Sequence, residues 1–131
     1  MATLFSRIVA GEIPCHKIAE NEEFFAFLDI NPMAPGHTLV IPKEEVDYIF
    51  DIADDKLGRM MAFSKGIAAA LSATIPSRKI ALSVIGLEVP HAHIHLIPIN
   101  READIHPTKD KTKPDPEELA GLAAQIREHY K

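Results

Sequence analysis

His91-Ala92-His93-Ile94-His95-Leu96-Ile97-Pro98 alternates imidazoles with apolar side chains at a strict period of two. That period belongs to a half-buried β-strand, in which successive side chains point to opposite faces. The reading puts His91, His93 and His95 on one face, with neighbouring imidazoles about 6.6 Å apart, and Ala92, Ile94 and Leu96 on the other, against a core. A single strand histidine is ordinarily a solvated surface residue. Three in register, ended by a proline, form a row of groups that donate, accept or attack near neutral pH. Such a row suits two chemistries. It can bind a transition metal, or it can surround a phosphate, with one ring attacking phosphorus while the others donate hydrogen bonds.

The rest of the chain limits the choice. Its 131 residues predict a single domain, with a core about 3–100 and a C-terminal connection and helix about 101–131. A net charge of −5 argues against broad nucleic-acid binding, which needs many Lys and Arg on phosphates, but leaves room for one nucleotide in a local pocket. The one cysteine, Cys15, has no partner for an internal disulfide and reads as a small buried hydrophobe. No apolar run reaches the roughly 20 residues of a membrane helix, and no secretory leader is visible. The expected location is cytoplasmic, with no membrane partner.

Outward from the histidine stretch, the third main strand is read at 80–85, with the turn at Gly86–Pro90 making the two a hairpin. A long helix is expected over 54–74, capped by Asp54, its core stripe formed by Leu57, Met60, Met61, Ile67, Ala68 and Leu71. Phe24–Asp29 and His37–Pro42 read as strands of an antiparallel pair, and Lys17–Ala19 as a short strand. The former is an apolar run suited to burial on both faces. Thr3 caps a short helix ending before Gly11. Near the C-terminus, Asp115-Pro116-Glu117-Glu118 is a strong helix start, followed by the stripe Leu119, Leu122, Ala123, Ile126 and Tyr130. Arg101–Pro114 reads as a surface connection. The fold class is α+β: an antiparallel sheet of about five strands, one long helix on it, and short N-terminal and C-terminal helices.

The pattern His, apolar, His, apolar, His, apolar, apolar at 91–97 resembles the signature of the histidine triad (HIT) nucleotide-binding family. Further blocks stand in the right order. Residues 5–14, FSRIVAGEIP, resemble the opening of its small bacterial, Hint-like members, and 27–32, FLDINP, and 35–43, PGHTLVIPK, resemble the next two. The resemblance covers most of residues 3–99. It implies a compact HIT-like α+β fold, usually a homodimer, and a purine nucleotide pocket. It also implies cleavage at the α-phosphorus of a nucleoside monophosphate moiety, in nucleoside phosphoramidates or dinucleoside polyphosphates, without a cofactor.

Carried onto this chain, the resemblance makes His93 the nucleophile, forming a nucleotidyl-histidine. His95 and His37 line the phosphate, His91 orients the row, and Asp29 accepts ribose hydroxyls. Phe5, Ile8, Ile13, Phe27 and Ile30 wall the base. Read without the resemblance, Asp29 is as well explained as a turn residue before Asn31-Pro32, His37 as a polar strand start, and the apolar residues as core.

The chain departs from the family pattern in three places. Many bacterial relatives carry Cys-x-x-Cys near the N-terminus and a histidine after the second strand, which bind zinc with a triad-strand histidine. Here Thr3 and Ser6 replace the cysteines, and Glu45 stands near the histidine. Hydroxyls are poor zinc ligands, so no structural zinc is expected. Gly86-Leu87-Glu88 replaces Gly-Gln and a hydroxyl residue, and Glu88 reads as a solvated turn residue. The preceding loop also lacks the usual Asn and glycine-rich insert. Three functions follow: an AMP-releasing hydrolase or nucleotidyl transferase acting through His93, a purine nucleotide-binding module with little turnover, or a metal protein using His91, His93 and His95. A covalent adduct on His93 separates the first from the second, and metal analysis identifies the third.

Overall fold

Phe24–Leu28 is buried at every position, because it is an interior strand covered on both faces. The computed structural model describes residues 3–105 and 111–130. In chain order these form α1 (Leu4–Val9), β1 (Lys17–Glu20), β2 (Phe24–Leu28), β3 (Thr38–Pro42), α2 (Asp54–Thr74), β4 (Lys79–Ser83), β5 (Ile94–Ile99) and α3 (Pro116–His129), with 3-10 turns at Ile49–Asp51 and Glu102–Ile105. The strands make a five-stranded antiparallel sheet of order β1-β2-β3-β5-β4. This is the expected α+β architecture.

Alternation along the strands sorts the two faces. Ala26, Leu28, Val40, Ala92, Ile94 and Leu96 join Met60, Ile67 and Leu71 of α2 and Leu119, Ala123 and Ile126 of α3 in the main core. Each fully buried Val, Leu, Ile or Met here contributes on the order of 1.5–3 kcal/mol. The other face carries a smaller cluster, Phe5 and Ile8 of α1 with Phe25, Phe27, Leu39 and Ile41. Both helices that cover the main core therefore lie opposite α1. The register places Phe27 against Leu39, Leu39 against His95, and His95 against Ser83, so one line of side chains crosses the α1 face of the sheet.

Some boundaries differ from expectation. The regular strand starts only at Ile94, so His91 and His93 lie on an irregular approach to β5. Two long-range bonds, Ala92 N–H to Val46 O (2.6 Å) and the His91 ring to Pro42 O, and one local turn bond, His91 N–H to Val89 O (2.8 Å), divert that approach. The β4 strand ends at Ser83, and Val84 and Ile85 leave the sheet exposed. The N-cap of α2 is Ala53. Asp54 and Asp55 occupy the first turn, where negative charge still favours the helix N-terminus. The buried stripe of α2 is Met60, Phe63, Ser64, Ile67, Ala70 and Leu71. Met61 is exposed and Ala68 half-buried, while Ser64 is tolerated inside because its hydroxyl donates to Met60 O at 2.9 Å. The α3 start is as read: Asp115 caps it by accepting from Glu117 N–H, and Pro116 opens the helix. Part of the expected surface connection, 106–110, lies outside the described residues.

Candidate active site

Gly36 sets the entry to the site. Its φ of +90° suits glycine, and a Cβ there would collide with the Ile75 side chain. The turn it makes delivers His37 into the interior, 1% exposed, beside β5. His37 Nε2 lies 2.9 Å from His95 Nδ1, and the His93 and His95 ring centroids are 4.9 Å apart, closer than regular strand spacing predicts because His93 precedes the ladder. Phe5 packs edge-on against both His91 and His93, at 5.8 and 5.0 Å between centroids. The four imidazoles thus share the α1 face of the sheet.

Their tautomers follow from their partners. His93 Nδ1 lies 2.8 Å from the carbonyl of His91, which only accepts, so Nδ1 carries the proton and the Nε2 lone pair is bare. His91 Nε2 lies 2.8 Å from Pro42 O and must also donate, so its Nδ1 accepts the Thr3 hydroxyl at 2.8 Å. His37 meets the opposite partner: Met33 N–H donates to its Nδ1 at 3.1 Å. Its proton therefore sits on Nε2 and goes to His95 Nδ1, which leaves His95 with an Nε2–H. In sum, His93 offers a lone pair and the neighbouring His95 offers a donor.

Charge is kept off these rings. Burial, with the nearby positive charge of Lys111 and the proximity of His93, pushes the His37 pKa down to about 4. Burial, followed by His37 and His93, holds His95 down to about 4, with Lys111 adding to the effect and Asp29 opposing it. Burial also lowers His91. All three are neutral at pH 7.

Asp29 follows β2 and is partly exposed. One carboxylate oxygen accepts Asn31 N–H at 2.8 Å, as the turn reading requires, while the other faces His37 Nε2 at 3.7 Å. Asp29 and His37 border a cavity of about 380 Å³ that Thr112, Lys113, Pro114 and the start of α3 also line. Phe5, Ile8 and Phe27 are buried in one cluster, with Ile13 packed against it. Ile30 is not with them: the Asp29 turn carries it outward, 61% exposed. Glu88 is exposed in the turn before His91. A larger apolar groove of about 810 Å³ lies elsewhere, between Asp47–Phe50, the start of α2 and Val84–Leu87.

The sequence reading missed several contributors. Pro42 O and Met33 N–H fix tautomers through backbone atoms, which leave no mark on residue type. Lys111 stood in a segment read as surface connection. Thr112 ties that segment down by donating its N–H to Pro32 O at 3.2 Å. Ser83 is opposite His95 on the neighbouring strand, a placement that only the register reveals.

Asp29, His37 and His95 can bring one ligand atom each within 4.8 Å of one another, the geometry of a metal group. The tautomers oppose it. To bind an ion through Nε2, neutral His37 would move its proton to Nδ1, against the Met33 N–H already pointing there. His91 has both ring nitrogens engaged, so the row of three does not converge on an ion either.

A bare imidazole nitrogen beside an imidazole donor, on one face of a five-stranded antiparallel sheet, is an arrangement that can attack an electrophile. The HIT domain model matches residues 10–102, and the chain belongs to the HIT family. It is 33% identical to the adenosine 5'-monophosphoramidase of Schizosaccharomyces pombe over 136 residues, spanning the whole of both chains. It is similar to the crystal structure of a Hit-like protein from Bartonella henselae, with TM-score 0.86, 29% identity, and 97% of this chain and 95% of that one covered. A Zn-bound histidine triad family protein from Mycobacterium smegmatis is also similar, with TM-score 0.81, 28% identity, and coverage of 99% and 94%. The donors around His91 here do not suit zinc. Thr3 and Ser6 bring hydroxyls where thiolates would be needed, and the Thr3 hydroxyl takes the His91 lone pair that a metal would use.

Proposed function

We propose that the chain hydrolyses, or transfers the nucleotidyl group of, a nucleoside monophosphate conjugate, releasing AMP from a phosphoramidate or a dinucleoside polyphosphate. His93 Nε2 attacks the α-phosphorus. The phosphorus–nitrogen bond to the ring forms as the bond to the leaving amine or phosphate breaks, and the leaving group takes up a proton. Water then attacks the same phosphorus, the ring leaves as neutral imidazole, and the water's proton is released. The His95 Nε2–H donates to the phosphoryl oxygen as negative charge grows on it, with His37 fixing that donor. His91 orients His93 through its carbonyl. Asp29 accepts ribose hydroxyls through the oxygen that the turn leaves available. Phe5, Ile8, Ile13, Phe27 and the exposed Ile30 wall the base.

The observation that carries this reading is the 2.8 Å contact from His93 Nδ1 to His91 O, which fixes the proton on the far side of the ring from the attacking nitrogen. The name of the fission yeast relative supports the choice of an amine-linked AMP as substrate. The test is a substrate labelled in the α-phosphate: wild type, quenched early in alkaline denaturant, carries label on His93, and His93→Gly carries none while still binding AMP. AMP release at the wild-type rate by His93→Gly refutes the assignment. Tight binding with no label on His93 in either protein selects the non-hydrolytic nucleotide binder instead.

The expected homodimer has a candidate surface. The β4 strand ends the sheet with its outer edge unpaired among the described residues. Beside it stand Leu82, Ile85, Leu87 and Phe50, between 45% and 90% exposed. An apolar edge of this kind invites a second copy. Leu82→Glu with Ile85→Lys converts a dimer to a monomer in sedimentation, and a monomeric wild type rejects the assembly. No helix among the described residues is long and apolar enough to cross a membrane.

A further inference from the structure

We propose that Thr3 is a positioning residue for His93, acting through His91, and that Thr3, Ser6 and Glu45 form a metal-free clasp that holds it in place. The kinetic part of this inference rests on the nucleophilic role of His93, while its structural part stands alone.

The clasp is a closed circuit. Thr3 Oγ1 donates to His91 Nδ1, and His91 Nε2 donates to Pro42 O, both at 2.8 Å. Glu45, three residues beyond Pro42, closes the ring by accepting Thr3 N–H at 2.6 Å. Its Oε1 also takes the Ser6 hydroxyl at 2.6 Å, and Ser6 N–H donates to Thr3 Oγ1 at 3.0 Å. The one proton of the Thr3 hydroxyl has two acceptors within reach, His91 Nδ1 at 2.8 Å and Ser6 Oγ at 3.1 Å, and it goes to the nearer, the ring nitrogen left bare by the His91 Nε2–H bond to Pro42 O. The segment after β3 grips the same place twice, since Val46 O accepts Ala92 N–H at 2.6 Å.

What the clasp holds is a carbonyl. The His91 peptide oxygen takes the His93 Nδ1 proton, so any rotation of the His91 backbone turns the His93 ring or frees its proton to change sides. Either event removes the attacking lone pair from its line. Thr3 is nearly fully buried, Ser6 is half-buried and Glu45 is exposed, so the circuit runs from the surface to the ring. In thermodynamic terms it joins three separate pieces, the start of α1, the segment after β3 and the approach to β5. A metal ion can join such pieces too, but the hydroxyl proton on the His91 lone pair excludes it here.

The variants Thr3→Val, which keeps the shape and loses the hydroxyl, and Thr3→Ser, which keeps the hydroxyl, test this. The expected result for Thr3→Val is a fall in kcat of about ten- to a hundredfold, with KM within about twofold. Thr3→Ser is expected to stay within about threefold of wild type. In heteronuclear NMR of the imidazole nitrogens, the His93 Nδ1–H signal should broaden or vanish by exchange in Thr3→Val and persist in Thr3→Ser. A folded Thr3→Val protein with wild-type kcat and an unchanged His93 signal overturns the proposal. If Thr3→Val does not fold, Glu45→Ala, at an exposed position, is read by the same signal, and an unchanged signal there overturns it equally. Untagged protein dialysed after exposure to zinc should retain less than about a tenth of an equivalent, and one zinc per chain contradicts the clasp. If His93→Gly keeps full turnover, the kinetic comparison falls with the nucleophile, while the NMR and zinc results still decide the clasp.

Discussion

His93 and His95 are two residues apart and almost in ring contact, yet the fold makes them chemical opposites. The His91–His93 half of the site is anchored on carbonyls, Pro42 O and His91 O, and so ends in a bare lone pair. The His37–His95 half is anchored on an N–H, that of Met33, and so ends in a donor. Side-chain type does not distinguish them. The polarity of one backbone group at the far end of each pair does, because a neutral imidazole must accept at one nitrogen when it donates at the other.

Breaking the nucleophilic half has the largest predicted effect. His93→Ala lowers the rate of AMP release from an amine-linked AMP at least about a thousandfold, with AMP affinity retained, measured by steady-state kinetics and calorimetry. Breaking the donor half costs less: His95→Ala lowers kcat about a hundredfold and leaves the His93 adduct detectable, since only charge stabilisation is lost.

Acid sharpens the contrast without mutation. The unfolded chain binds protons on His37 and His95 near the ordinary 6.5, the folded chain only near 4. Between those values the unfolded state holds more protons, so the stability from neutral burial is present above about pH 6.5 and is lost as pH falls to about 4. For His37 the loss is about 3 kcal/mol, at about 1.4 kcal/mol per unit. Urea midpoints measured from pH 7 to pH 4 should fall accordingly in wild type and less steeply in His37→Leu. The smallest effect is expected for Lys111→Ala. Removing that charge raises the pKa of both histidines slightly and weakens binding of anionic nucleotide a few-fold, read by titration of the imidazole resonances and of AMP.

The sheet was legible because its signals are local. The period-two histidine stretch, the apolar run at 24–28 and the Asp-Pro start of α3 each announce an element within a few residues. The faces followed from parity, so Ala92, Ile94 and Leu96 were placed against the helices. The α2 stripe is less legible: the spacing points to Met61, which lines the outer groove, and not to Phe63 and Ala70, which are buried. A helix rich in alanine and methionine carries a weak amphipathic signal, and here the sheet decides which flank is buried.

In the candidate site, the grouping of His37 with His93 and His95 was legible and their tautomers were not. Thr3 was readable as a helix cap, which it is, but its bond to a ring 88 positions away was not. Asp29 shows the turn role with one oxygen, while its other oxygen faces His37. Ile30 follows Asp29 and is exposed, apart from the buried cluster of Phe5, Ile8 and Phe27. Tautomers depend on Pro42, Met33 and His91 through main-chain atoms that every residue type possesses, so only the fold supplies that information.

The most direct measurement is NMR of the ring nitrogens of His37, His91, His93 and His95 at pH 7. The fold predicts a proton on Nδ1 of His93 alone, and on Nε2 of the other three. A proton on Nε2 of His93, or a mixture of its tautomers, contradicts the assignment of that nitrogen as the attacking atom and removes the basis for two opposed halves.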